Sequence, residues 1–137
     1  MGTALGQLYG AELHRAGLAA AFDLIVPVPL HPRKLAKRGY NHAAAFASGL
    51  ATGLQLPWNA TALRRTTHTS TQTQKNRAQR WENVAAVFEV ENAQHIIGRR
   101  ILVVDDVLTT GATLEACGAV LLAAGAAEVS IATIASA

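Results

Sequence analysis

The sequence predicts a small doubly wound α/β domain: a mainly parallel sheet with helices on both faces. Three observations carry this expectation. The candidate strands, at Asp23-Leu-Ile-Val-Pro-Val-Pro, Ile101 to Val104 and Val129 to Ile134, are apolar throughout rather than alternating, the pattern of strands buried on both sides. Segments with apolar residues at three- and four-residue steps separate them, as crossover helices do. A chain of 137 residues, half of them hydrophobic and 15% charged, is long enough for one core and too short for two. Residues 1–137 are therefore read as a single domain, with no repeat or linker.

The elements follow in order. Leu5, Leu8, Tyr9, Leu13 and Ala16 predict an amphipathic N-terminal helix within residues 1–22, ending near Ala21. The Asp23 segment is a short buried strand cut off by prolines. Ala43, Phe46, Ala47, Leu50 and Leu54 repeat the helical spacing, with Gly53 and Pro57 as the stop. Trp58 to Leu63 predicts a second strand. Thr66 to Gln74, TTHTSTQTQ, has no apolar residue and no period, so the 66–82 region is expected to be a flexible loop. Asn83 to Val90 returns as a short strand pair or ribbon. Leu114, Cys117 and Leu121 mark a helix closed by Gly125, and Val129 to Ile134 is the last strand.

A single cysteine, Cys117, excludes a disulfide framework or a multi-cysteine zinc site and suits a reducing compartment. No apolar run approaches the roughly 18 residues that span a bilayer, and no signal-peptide pattern opens the chain. A cytoplasmic protein without a membrane partner is expected. The net charge of +3 gathers in Arg33 to Arg38, Arg64 to Arg80 and Arg99 to Arg100. Such clusters suit an anionic partner, a phosphorylated small molecule or nucleic acid, and equally an ordinary solvated face.

The chemistry concentrates in GRRILVVDDVLTTGATLEA, where four apolar residues run into two adjacent carboxylates, Asp105 and Asp106. In an open parallel sheet, ligands bind beyond the carboxyl ends of the strands. Thr109-Thr110-Gly111-Ala112-Thr113 follows as the turn into the next helix. Its backbone N–H groups and small side chains make a phosphate cradle. The carboxylates would then accept hydrogen bonds from hydroxyls of the sugar carrying that phosphate. Two other motifs share this start. A receiver domain needs a further acceptor aspartate and a lysine downstream, yet the last lysine is Lys75. A Walker B strand needs a GxxxxGK[ST] partner, which is absent from the sequence. A plain strand and capped helix would leave the adjacent carboxylates repelling each other.

VVDDVLTTGAT resembles the phosphoribosyl-pyrophosphate (PRPP) motif of type I phosphoribosyltransferases. DLIVPVPLHPRKLAKRGYN, RRTTHTSTQ and RWENVAAVF resemble one branch of them, the ComF-type competence-associated family. The resemblance implies a type I phosphoribosyltransferase-like sheet with a reduced hood, since the family's cysteine-rich zinc segment has no counterpart in MGTALGQLYG. It implies that Asp105 and Asp106 contact the ribose hydroxyls as the catalytic carboxylates and that Thr109, Thr110, Gly111, Ala112 and Thr113 bind the 5′-phosphate. Val28 and Pro29, with Arg33 and Arg38, would face pyrophosphate. Gln72, Lys75, Arg77, Arg80 and Asn83 belong to the flexible-loop region. Departures fall at His42 and Lys75, where the family pattern tends to have Gln and Leu.

The implied activity is transfer of the phosphoribosyl group from Mg²⁺-PRPP to an unidentified acceptor, such as a nucleobase, with release of pyrophosphate. Mg²⁺ would be held through the ligand and Asp105 or Asp106. Such a reaction needs no protein nucleophile, consistent with a sequence that offers no Ser-His-Asp or Cys-His pattern. The alternative is a non-catalytic PRPP-sensing or accessory protein of DNA uptake, with a protein partner in that apparatus. Any nucleic-acid contact is expected to be weak, because seven Phe, Trp and Tyr residues in all provide no evident stacking platform. A homo-oligomer is expected. His31, His42 and His68 define no metal spacing. Cys117, Trp58 and Trp81 read as packing residues.

Overall fold

The computed structural model of the chain describes residues 2–29, 41–65, 88–108 and 111–136, with the side chains of residues 2, 106–108 and 134–136 left aside. Three parallel strands form its central sheet in the order β1-β4-β5: β1 (Leu24–Pro27), β4 (Arg100–Leu108) and β5 (Glu128–Ser136). β1 pairs with β4 from Leu24↔Ile101 to Pro27↔Val104, and β4 pairs with β5 from Arg100↔Glu128 to Leu108↔Ser136. An antiparallel ribbon, β2 (Leu63–Arg65) with β3 (Phe88–Val90), lies apart from this sheet. The helices are α1 (Gly2–Arg15), α2 (His42–Leu54) and α3 (Ala112–Ala123).

Strand alternation sorts the core into two layers. Ile25, Leu102 and Val104 meet Phe46, Leu50 and Leu54 of α2 on one face. Leu24, Val26, Ile101 and Val103 meet Leu114, Cys117 and Leu121 of α3 on the other, joined by Leu63 and Phe88 of the ribbon. Both faces of β1 and β4 are thus covered, which explains their unbroken apolar runs. The architecture is the expected doubly wound α/β fold with helices on both sides.

α1 differs from its sequence reading in both length and face. The α-helix stops at Arg15, Gly17 takes the left-handed conformation at φ 82°, and Leu18–Ala21 forms a 3₁₀ turn. Leu8 and Tyr9 are exposed, although their spacing suggested the buried stripe. The contact face is instead built on Gly6 and Gly10 against Gly49 and Gly53 of α2. A Cβ on Gly49 would lie 2.2 Å from the Thr3 carbonyl oxygen and 2.9 Å from the Gln7 nitrogen. The two backbones approach so closely that glycine is required on both helices. Gly53 therefore serves this contact and not the helix stop, which Gln55 makes in the left-handed region at φ 59°. Tyr9 closes the rim edge-on to Phe46, with ring centroids 6.2 Å apart.

The second strand is also displaced from its expected place. Within Trp58 to Leu63 only Trp58 joins the sheet, through a single parallel bridge to Ile25, and the chain then leaves to form β2 with Arg64 and Arg65. β4 and β5 are each longer than their apolar cores. They continue because they pair with each other past the point where β1 ends, so polar residues still gain backbone partners.

At the amino end of the sheet, Asp23 and Arg100 clamp β1 to β4. Asp23 Oδ2 accepts hydrogen bonds from the Arg100 backbone N–H at 2.8 Å and from Nε at 3.0 Å, and Oδ1 accepts from the terminal guanidinium nitrogen at 3.1 Å. The Asp23 backbone N–H returns a bond to the Arg100 carbonyl at 2.8 Å. The bonds from the Arg100 side chain, then that from its backbone, hold the Asp23 carboxyl at about 2, below its usual 3.8.

Two outcomes are expected. Gly49→Ala should lower stability by about 2 kcal/mol by forcing α1 off α2, while Gly118→Ala, whose new Cβ meets only a Val129 methyl at 3.6 Å, should be neutral or stabilising by up to about 0.5 kcal/mol. Urea midpoints of the two variants check this, and an unchanged midpoint for Gly49→Ala would rule out the close backbone contact. The second outcome concerns acid. Because the folded-state pKa of Asp23 is depressed, its contribution is complete above the unfolded value near 3.8 and disappears as pH falls toward about 2. Asp23→Asn should therefore be less stable than wild type at neutral pH, with the gap closing between about pH 4 and about pH 2. A pH-independent gap in urea midpoints would contradict this.

Candidate active site at the carboxyl edge of the sheet

The opposite end of the sheet opens at Asp105. The last β1–β4 pair is Pro27↔Val104, after which the Val28 N–H donates to the Val104 carbonyl at 2.8 Å. From Asp105↔Thr133 onward, β4 is paired with β5. Asp105 lies one step past the last apolar residue, on the Val103 side of the sheet by strand alternation, and is half-buried. Asp106 is the next residue of the same strand.

Three residues, 109–111, separate the end of β4 from the start of α3. Its N-cap is Gly111, in the left-handed conformation at φ 80° and without a side-chain cap, and the Glu115 N–H donates to the Gly111 carbonyl at 2.9 Å. Ala112 and Thr113 occupy the first turn and are half-buried. α2 offers a contrast. Its Asn41 cap is an acceptor for the N–H groups of Ala43 at 2.9 Å and Ala44 at 3.3 Å, so side-chain oxygen already satisfies that end. Of these two helix starts, the one with a glycine cap is the one that follows the carboxylates, as a cradle for an anion requires.

Val28 and Pro29 form the turn that leaves β1, and two side chains hold it from opposite sides. Asn41 Nδ2 donates to the Val28 carbonyl at 3.3 Å. Arg65 Nε donates to the Pro29 carbonyl at 2.9 Å, with its guanidinium carbon 4.8 Å from the centre of the Phe88 ring. A carbonyl and a ring face orient the guanidinium without cancelling its charge. Burial pushes the Cys117 thiol up to about 12, with the positive charge of Arg65 opposing and the negative charge of Asp105 adding to the rise. Cys117 itself is a buried packing residue.

The structure brings Val28, Pro29, Asp105, Asp106, Gly111, Ala112 and Thr113 to one edge of the sheet. Thr109 and Thr110, Arg33 and Arg38, and Gln72, Lys75, Arg77, Arg80 and Asn83 lie outside the described residues. Asn41 and Arg65 were missed as site residues, although both carried a signal. Asn41 immediately precedes a helical apolar period, an N-cap position. Arg65 shares the inward parity of Leu63 in a strand, while Arg64 points outward to Glu89. Among the described residues, no three His, Cys, Asp or Glu side chains gather to hold a metal ion. Nor is any described helix long and apolar enough to cross a membrane.

Known proteins share the sequence pattern and the fold. A family model described as the phosphoribosyl transferase domain matches residues 36–137. The chain is 36% identical over 109 residues to DNA utilization protein YhgH of Escherichia coli K12, covering 80% of this chain and 47% of that protein. It is 32% identical over 110 residues to Competence protein F of Haemophilus influenzae, covering 80% and 48%. The chain thus spans about half the length of the curated relatives it matches. Among solved structures, the fold is similar to the glutamine PRPP amidotransferase of B. subtilis, with a TM-score of 0.65 at 21% identity over 96% of this chain and 26% of that one. It is also similar to the adenine phosphoribosyltransferase of Thermoanaerobacter pseudethanolicus, with a TM-score of 0.54 at 23% identity over 94% and 67%. The strand that carries paired carboxylates, the glycine-capped helix after it and these matches have one common explanation: the chain belongs to the phosphoribosyl transferase domain family and is similar to its competence-associated members.

Proposed function

We propose that the domain binds Mg²⁺-PRPP and transfers its phosphoribosyl group to an acceptor with release of pyrophosphate. The observation that carries this reading is the meeting, at one sheet edge, of Asp105 just past the end of β1 with the glycine-capped start of α3. Asp105 and Asp106 accept hydrogen bonds from the ribose hydroxyls. The turn from Thr109 to Thr113 presents N–H groups to the 5′-phosphate, where the α3 dipole adds attraction. The turn at Val28 and Pro29, with Arg33 and Arg38, faces pyrophosphate. Gln72, Lys75, Arg77, Arg80 and Asn83 complete the anion's surroundings.

In the reaction, the bond from the anomeric carbon to pyrophosphate breaks, pyrophosphate leaves with the bonding pair, and a bond to an acceptor nitrogen forms. The protein's task is to orient the sugar, neutralise charge and exclude water, and these effects dominate when no covalent intermediate is needed. The donor set fits Mg²⁺: one or two carboxylates without a protein cage suit a hard cation that takes most of its oxygens from phosphate-bearing ligands and water. Asp105 and Asp106 would hold it, and when bound it offsets negative charge on the departing group. The acceptor is proposed to be a nucleobase or related nitrogen compound. A cytoplasmic homo-oligomer is part of the same reading.

A second reading, a PRPP-sensing accessory of DNA uptake with a protein partner, is favoured by what the relatives are called: a DNA utilization protein and a competence protein. In that case any direct contact with nucleic acid is electrostatic and weakens steeply with salt.

Calorimetry with PRPP and Mg²⁺ tests the binding. The double variant Asp105→Asn, Asp106→Asn should lose PRPP binding while keeping its urea midpoint, since Asp105 lies past the last β1–β4 pair and outside the apolar core. Undiminished affinity in that variant would overturn the assignment. Pyrophosphate release measured with adenine, guanine, hypoxanthine, uracil and orotate then separates the two readings. Acceptor-dependent release supports the transferase, whereas PRPP binding without release under any condition supports the sensor.

A further inference from the structure

We infer that Asn41 and Arg65 are positioning residues that together fix the backbone of the Val28–Pro29 turn for binding a pyrophosphate group. The inference rests on the PRPP reading of the site. It starts from two hydrogen bonds to consecutive carbonyls. Val28 O accepts from Asn41 Nδ2 at 3.3 Å, and Pro29 O accepts from Arg65 Nε at 2.9 Å. The donors come from different layers. Asn41 is locked at the start of α2 because its own Oδ1 caps that helix. Arg65 is the last residue of β2, and its guanidinium lies over the Phe88 ring of β3, which is buried in the core. Each donor is therefore held by a second contact, so the turn inherits the rigidity of both layers.

The electrostatic consequence follows from carbonyl polarity. A bare turn beyond a parallel strand exposes carbonyl oxygens, which repel an anion. Here both oxygens are engaged by N–H donors, one of them cationic. A charge-assisted bond of this kind is stronger and shorter than one between neutral groups. The arrangement lowers the negative potential of the turn and leaves the positive charge of Arg65 uncancelled by either contact. An anion at the turn gains from both effects. The sugar phosphate, held at the start of α3, gains from neither. The inference accordingly predicts a split between two ligands that share the ribose phosphate and differ in pyrophosphate.

Three variants and three ligands test this on the intact chain. Arg65→Met removes donor and charge while keeping an unbranched side chain over Phe88. Arg65→Lys restores the charge without the planar fork. Asn41→Ser keeps an N-cap oxygen but is too short to reach Val28, so α2 stays capped. Calorimetry is run with Mg²⁺-PRPP, Mg²⁺-pyrophosphate and ribose 5-phosphate, with urea midpoints as the fold control.

Arg65→Met and Asn41→Ser should each weaken PRPP and pyrophosphate by about tenfold, the scale of one lost bond to a charged site, and leave ribose 5-phosphate within about twofold. Arg65→Lys should recover part of the loss. If Arg65→Met does not fold, Asn41→Ser and Arg65→Lys still decide the matter. Equal weakening of all three ligands, or unchanged pyrophosphate affinity in Asn41→Ser, would overturn the inference while leaving the transferase reading intact. Failure of the wild-type chain to bind PRPP would overturn both.

Discussion

The pairing of Asp23 with Arg100 sets the register on which the rest of the domain depends. Strands of a parallel sheet can slip, and a slip by one residue sends every side chain to the opposite face. Here one carboxylate takes three hydrogen bonds from a single residue of the neighbouring strand, and a backbone bond returns the other way. With that register fixed at the amino end, β1 runs out opposite Val104, and Asp105 becomes the first residue of the open edge. Displacing the register by one would bury a carboxylate beside β1 or move the acids a step further from the turn at Val28 and Pro29. The pair is about two-fifths exposed, so its net energy is small. Its importance is geometric.

The two faces of the sheet are built by different physics. On the α3 side, ordinary aliphatic packing joins Leu114, Cys117 and Leu121 to Ile101 and Val103. On the other side, α2 presents alanines, Phe46 and leucines to the sheet while its glycines admit the backbone of α1. That second contact gains little from side-chain burial and much from dense van der Waals contact between main chains. It also limits which residues the helices can carry. The arrangement makes α2 a thin plate between α1 and the sheet, with its capped end at the level of the Val28 carbonyl.

Much of this could be read in the sequence, for reasons specific to each element. Unbroken apolar runs predicted β1 and β4, which the structure covers on both faces, whereas β5 stands last in the strand order with Ile131 53% exposed; the acids after Val104 mark the carboxyl edge of the sheet, where the site is proposed. The true lengths of β4 and β5 were not visible, because Asp105 to Leu108 holds its strand conformation through pairing with β5 rather than through composition. The buried face of α1 was misread because glycine carries no hydrophobic signal. Exposed Leu8 and Tyr9 carry a strong one. The short β2 strand was hidden by its arginines, one of which pairs with Glu89 in solvent while the other turns inward. Arg65 and Asn41 carried local signals of strand parity and an N-cap position, but their hydrogen bonds to the Pro29 and Val28 carbonyls far along the chain are relations that local patterns do not encode. Arg33, Arg38 and the polar stretch from Gln72 to Asn83 lie outside the described residues, so their assignment rests on the family resemblance.

Cys117 gives this architecture a built-in clock. It is the chain's only cysteine, lies wholly inside the layer between α3 and the sheet, and has its thiol pushed up to about 12 by burial. A thiol reagent can reach it only when that layer parts, because the nucleophile is the thiolate and the folded state suppresses it. The modification rate therefore follows the population of opened molecules. Comparing that rate with the free energy of complete unfolding distinguishes local separation of α3 from global opening. Since α3 begins at the Gly111 cap, whatever steadies that helix start slows the clock, and a single native atom reports on it from within the core.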